Sequence, residues 1–127
     1  MAIPSGSGSE VLRRGAVETQ STDVTSFKFD GTNPATGTET YAVPANHIIT
    51  MISIIFCEGS GAAETISMNM TDGTNAYIVL MEQQPLPAKG TFVWNDKFVL
   101  IGGDKVRVVA TSGDVDVYYT YLDQDWS

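Results

Sequence analysis

The sequence predicts an all-β fold, an antiparallel β-sandwich or jelly roll of about eight strands with an extended N-terminal arm. Three observations predict it. Apolar side chains recur with a period of two along most of the chain, the spacing of strands with one face turned inward. Turn signals interrupt that pattern at short intervals: Asp30-Gly31, Gly59-Ser60-Gly61, Asp72-Gly73, Gly102-Gly103 and Ser112-Gly113-Asp114. No segment carries the spacing of an amphipathic helix.

Taken in order, residues 1–20 read as an arm, flexible or ordered by a partner, and residues 21–127 as one sandwich domain. Ser5 to Ser9 alternates serine and glycine, which resists ordering by itself. The arm also holds Ile3, Val11, Leu12 and Val17, and the basic pair Arg13 and Arg14. An apolar set beside a basic pair is what a neighbouring subunit could pin. Ser26 to Asp30 then alternates, and a polar loop runs to about Thr40. Tyr41-Ala42-Val43 is short and extended and Pro44 ends it.

Ile48 to Cys57 contains five isoleucines with Met51 and Phe56, so it is expected to be a central strand buried on both faces. Thr65 to Met70 alternates with Ile66, Met68 and Met70 on one face. Tyr77 to Met81 follows the Asp72-Gly73 turn. Gln84-Pro85-Leu86-Pro87 is excluded from a central strand, because proline removes a ladder donor. Thr91 to Trp94, Phe98 to Ile101 and Val106 to Ala110 are short strands. Ser112-Gly113-Asp114 then turns the chain into a further strand, in which Val115, Val117, Tyr119 and Tyr121 share one face and Asp114, Asp116, Tyr118 and Thr120 the other.

Composition narrows the function. The chain has 127 residues and is 43% hydrophobic, enough for one real core without disulfide or metal. Fifteen acidic against seven basic side chains give a net charge of −8, with the cations scattered. Nucleic acid is therefore not expected as a partner. The longest apolar run is about half what a bilayer span needs, so no membrane is expected either.

Chemistry is sparse. The one histidine, His47, and the one cysteine, Cys57, sit at opposite ends of one strand, roughly 33 Å apart, so neither can activate the other. One of each also excludes a conventional zinc site within a monomer. Asp114 with Asp116, and Asp123 with Asp125, share strand faces as calcium ligands would, but a solvated face explains them and the EF-hand pattern is absent. Ser5-Gly6-Ser7-Gly8-Ser9 lacks the lysine and helix of a phosphate loop. No catalytic residue, metal site or cofactor is expected. Trp126, next to the C-terminal residue, either folds back onto its own sheet or docks into a neighbour, and the second is favoured.

From Tyr41 onward a series of motifs occurs in order: Tyr41-Ala42-Val43-Pro44-Ala45, the apolar run Ile48 to Cys57, Pro85-Leu86-Pro87-Ala88-Lys89-Gly90, Phe98-Val99-Leu100, Gly103-Asp104-Lys105-Val106-Arg107-Val108 and Val115-Asp116-Val117-Tyr118. This order resembles a small β-sandwich module of bacteriophage virion structural proteins. Asn46 stands where that pattern has glycine, and Lys89 is inserted before Gly90; both changes fall in turns.

The resemblance implies a non-enzymatic virion protein, made in a host cytoplasm and carried on the particle. It implies first a capsid decoration, or cement, protein that stabilises the head by binding the major capsid protein. It also implies a homo-oligomer, a trimer being one expected form. The contact residues would be Ile3, Val11, Leu12, Arg13, Arg14 and Trp126. The alternative is a tail- or fibre-associated module that binds a host surface through loops 30–40 and 59–63. A glycan-acting enzyme is the third and weakest reading.

Overall fold

The computed structural model describes residues 8–19, 24–35, 40–73, 78–111 and 115–127. Among them are nine strands: β1 (Ser9–Glu18), β2 (Thr25–Ser26), β3 (His47–Glu58), β4 (Glu64–Thr71), β5 (Ile78–Leu86), β6 (Thr91–Trp94), β7 (Phe98–Ile101), β8 (Lys105–Ala110) and β9 (Val115–Asp125). They form two antiparallel sheets. The first runs β1-β9-β3, with β6 and β7 sharing the far edge of β3; the second runs β2-β8-β4-β5. The all-β sandwich expected from periodicity is what the chain forms.

One apolar cluster holds the sheets together. The first sheet contributes Ile49, Met51, Ile54, Phe56, Leu100, Val115, Val117, Tyr119 and Tyr121, and the second Ile66, Met68, Leu86, Val106 and Val108. Alternation delivers them: in β9 every second residue from Val115 to Asp123 is buried. The face assigned to Val115, Val117, Tyr119 and Tyr121 is the inner one.

The structure departs from the sequence reading in three places. Residues 9–18 were expected in an arm outside the sandwich, yet they form β1, paired with β9 from Ser9↔Asp125 to Glu18↔Asp116. The reason is Val17 and Gly15, which pack inward: Gly15 lies over the Tyr119 ring so closely that a Cβ there would overlap it. Residues 1–7, Ile3 among them, lie outside the described set.

Second, Phe27 to Asp30 alternates but is no strand beyond Ser26. Phe27 stacks on Tyr119 at 4.3 Å between ring centroids. The Tyr119 hydroxyl donates to the Lys28 carbonyl at 2.7 Å and accepts the Lys28 N–H at 2.9 Å, while the Tyr121 hydroxyl accepts the Gly31 N–H at 3.0 Å. Tyrosine hydroxyls thus replace ladder partners for this segment.

Third, β3 is central but not buried on both faces. Its inward side chains are in the core, whereas Ile55 is 37% exposed and Ile48 and Ile52 are only half-buried. The second sheet covers one side only. β5 does include Pro85, as an edge strand, where a missing N–H is tolerated.

Candidate functional site

Three places on the molecule combine side-chain chemistry with a defined geometry. The first is a charged cluster where β1, β9 and β3 meet. The Asp123 carboxylate is buried and receives Arg13 Nε at 3.1 Å and His47 Nδ1 at 2.7 Å. His47 Nε2 lies 3.4 Å from Asp125 Oδ1, and Asp125 also accepts the Ser127 N–H at 2.9 Å. Asp123 and Asp125 do share a face, as their spacing predicts, but their oxygens are committed to side chains of this chain. The cluster clamps three strands. Among the described residues, no group of three or more His, Cys, Asp and Glu is arranged to hold a metal ion.

The second is the 58–61 turn. Glu58 is buried and its carboxylate accepts the N–H groups of Ser60 (2.8 Å), Gly61 (2.8 Å) and Lys89 (2.9 Å), and the Ser60 hydroxyl. These donors, the Lys89 N–H foremost, hold its pKa down at about 2. The carboxylate stands in for backbone acceptors and locks the 59–61 loop to the 87–90 turn. Beside it lies an open depression lined by Glu18, Gly59, Ser60 and Asp116. A second depression, lined by Val43, Ala45, Asn46, Gly102 and Gly103, is also open and is more apolar. In the first the Ser60 hydroxyl is hydrogen-bonded to Glu58, and the lining of the second holds no nucleophilic side chain.

The third is the outer face of the five-stranded sheet. Register places its outward residues in rows across the strands. Leu12, Leu122, Thr50 and Val99 form one row; Ala16, Tyr118, Ile55 and Val93 form another. A further row, Glu10, Gln124, Ile48 and Ile101, closes one end, where Gln124 donates to Glu10 at 2.8 Å. Glu18, Asp116, Cys57 and Thr91 close the other. Between the two apolar rows lie Arg14, Thr120 and Ser53. Leu12 is 66%, Val99 59%, Val93 48% and Tyr118 42% exposed. The result is an apolar centre with acidic residues at its ends and Arg14 between its apolar rows on the edge strand β1.

Of the contact residues expected from sequence, Leu12 and Arg14 lie on this face, while Val11 is exposed on β1 with the opposite parity. Arg13 is turned the other way, into the Asp123 clamp. Trp126 is half-buried: its N–H donates to the Asn46 carbonyl at 2.9 Å and its ring lies against Gly8. Its indole N–H is buried without a hydrogen-bond partner among the described residues. Loop 59–63 is exposed, and loop 30–40 is described only in part. Sequence reasoning missed Ile48, Ile55, Val93, Val99, Ile101 and Leu122 as surface residues. The signal existed, because β3, β6 and β7 carry apolar residues at both parities.

The fold and this bare face are the setting for comparison with known proteins. No protein-family model matches the chain, and no curated protein matches its sequence. Solved structures do match. The fold of this chain is similar to part of a solved virus structure. In the structure of infectious bursal disease virus Gx strain it matches at a TM-score of 0.50 and 8% identity, over 97% of this chain and 34% of that one. It therefore spans about a third of the length of that relative. Two further matches have a TM-score of 0.46: the VP2 subviral particle of infectious bursal disease virus (11% identity, 89% of this chain and 32% of that) and the globular domain of zebrafish complement 1qA protein (12%, 88% and 92%). At these identities the likeness concerns the fold.

Proposed function

We propose that this chain is a non-enzymatic structural subunit of a bacteriophage particle, a capsid decoration (cement) protein that binds the major capsid protein on the outside of the head. The observation that carries the reading is the bare apolar face on the sandwich, a surface built for protein contact with no reaction cleft beside it among the described residues. The fold likeness to a virus protein and the ordered run of phage-module motifs support it. In this role the subunit works as a homo-oligomer seated where capsomers meet. Interface added across the shell opposes the outward pressure of packed DNA.

The arm mechanism takes a narrower form than the sequence suggested. Ser9–Glu18 belongs to the sandwich, so residues 1–7, with Ile3, and the free edge of β1 are the parts left to add a strand to the shell. Trp126 lies at the same end of the sheet and is the proposed C-terminal contact. Deleting residues 1–7 should leave the fold intact and weaken attachment to particles. Undiminished attachment would remove the arm from the mechanism.

One observation favours the alternative, a tail- or fibre-associated module that binds a host surface: Glu58 pre-orders the exposed 59–61 loop. Copy number in purified particles separates the two. A count on the scale of the shell subunit supports cement, and a count matching one tail overturns it.

A further inference from the structure

We infer that the outer face of the five-stranded sheet is a self-association surface whose occupant is a second copy of this chain. The inference does not depend on the virion reading; it holds for this chain in any setting.

Size is the first argument. Four strand positions across and nine residues along span about 19 Å by about 30 Å. The exposed apolar side chains present on the order of 500 Å², which is at the upper end of what monomers leave bare. One partner in a standard interface contributes about 800 Å², so the patch with its rim is of the right size for a stable pair. Its anatomy is also that of an interface, with an apolar centre and polar ends.

Charge selects the occupant. Two copies of a chain carrying −8 repel each other, so they can meet only where that charge is missing. On the strands, the two apolar rows and the row between them hold one ionic group, Arg14 on the edge strand β1, exposed and without an ion pair among the described residues; the loop joining β6 to β7, at the other end of the middle row, carries Asp96 and Lys97, whose charges offset each other. The acids of the face lie at its two ends: Glu10 and Glu18 four residues along β1 on either side of Arg14, and Asp116 opposite Glu18 on β9. Laid face to face without offset, two copies bury both apolar rows and keep these acids at the rim of the contact.

The test is sedimentation of the full chain from low micromolar to near-millimolar concentration, beside Arg14→Glu, Val99→Lys and Val93→Lys. All three positions are half-buried or exposed strand residues outside the core, and circular dichroism confirms folding. The expected result is concentration-dependent association. Each variant should raise the dissociation constant at least about 30-fold, the size of a hot-spot loss, and Arg14→Lys should restore most of it. Hydroxyl-radical footprinting of the wild type gives a second readout that needs no variant: Tyr118, Leu122 and Val99 should be protected when concentrated and modified when dilute. A wild type that stays monomeric throughout overturns the inference, as does an oligomer indifferent to all three variants. Protection of Tyr118 in a monomer also overturns it and assigns the face to the chain's own first seven residues. These outcomes are read on the purified chain alone and stay distinguishable from failure of the virion reading, which copy number in particles tests separately.

Discussion

Lys89 occupies a left-handed backbone position, φ 56°, in the turn where it is inserted before Gly90, and Asn46, at φ 63°, does the same where the resembling motif has glycine. Both substitutions are tolerated, but unequally. Asparagine accepts this conformation readily, whereas lysine carries a Cβ penalty of roughly 1 kcal/mol. Lys89→Gly should therefore raise stability by about 1 kcal/mol in denaturant unfolding, because its N–H still bonds Glu58. Glu58 itself makes stability depend on pH. Its carboxyl titrates at about 2 in the fold against 4.5 ordinarily, so the unfolded chain binds the proton more readily. Its contribution is complete above about pH 4.5, falls as pH drops, and is lost on passing through about 2. In urea titrations, the stability gap between wild type and Glu58→Gln should be widest at neutral pH and close between pH 4 and 2. Neither feature was legible in the sequence: a glutamate at a strand end looks like any solvated acid until three N–H groups are seen to converge on it.

At the scale of elements, β1 is the instructive case. Its serine and glycine preface and its basic pair argued for an arm. What places it in the sheet is one glycine facing a tyrosine ring and one arginine facing a buried aspartate, contacts across more than a hundred residues that no local pattern encodes. Gly15→Val should cost at least about 3 kcal/mol through overlap with Tyr119. Asp123→Ala should cost about 2 kcal/mol, less than for a fully buried pair because Arg13 is partly solvated. In native-state hydrogen exchange both variants should release β1 amides before those of β3 or β4. The short strands β6, β7 and β8, by contrast, were readable from alternation and turn residues alone, since each needs nothing beyond its neighbours. β3 was read correctly as central and wrongly as doubly covered. Apolar residues on both parities state that both faces avoid water, and not which molecule supplies the second cover.

For the whole molecule, that distinction makes solution conditions informative. Association through a neutral face on an acidic body should strengthen as salt screens the repulsion between copies, because the Debye length shrinks from about 30 Å at 0.01 M to about 8 Å at 0.15 M. It should also strengthen as pH falls toward the isoelectric point near 4.3. Sedimentation at two ionic strengths checks this; association that weakens with salt would mean that ion pairs, and not the apolar rows, dominate the contact.

The position of β9 has one more consequence, for biosynthesis. This strand lies between β1 and β3, yet a ribosome makes it after the other eight described strands. Until it emerges, β1 has nothing to zip onto and the isoleucine-rich β3 offers an unsatisfied edge to any passing chain. Translation speed between β3 and β9, and the holdases that shield nascent polypeptides, should therefore govern the yield of native protein more strongly than its final stability does.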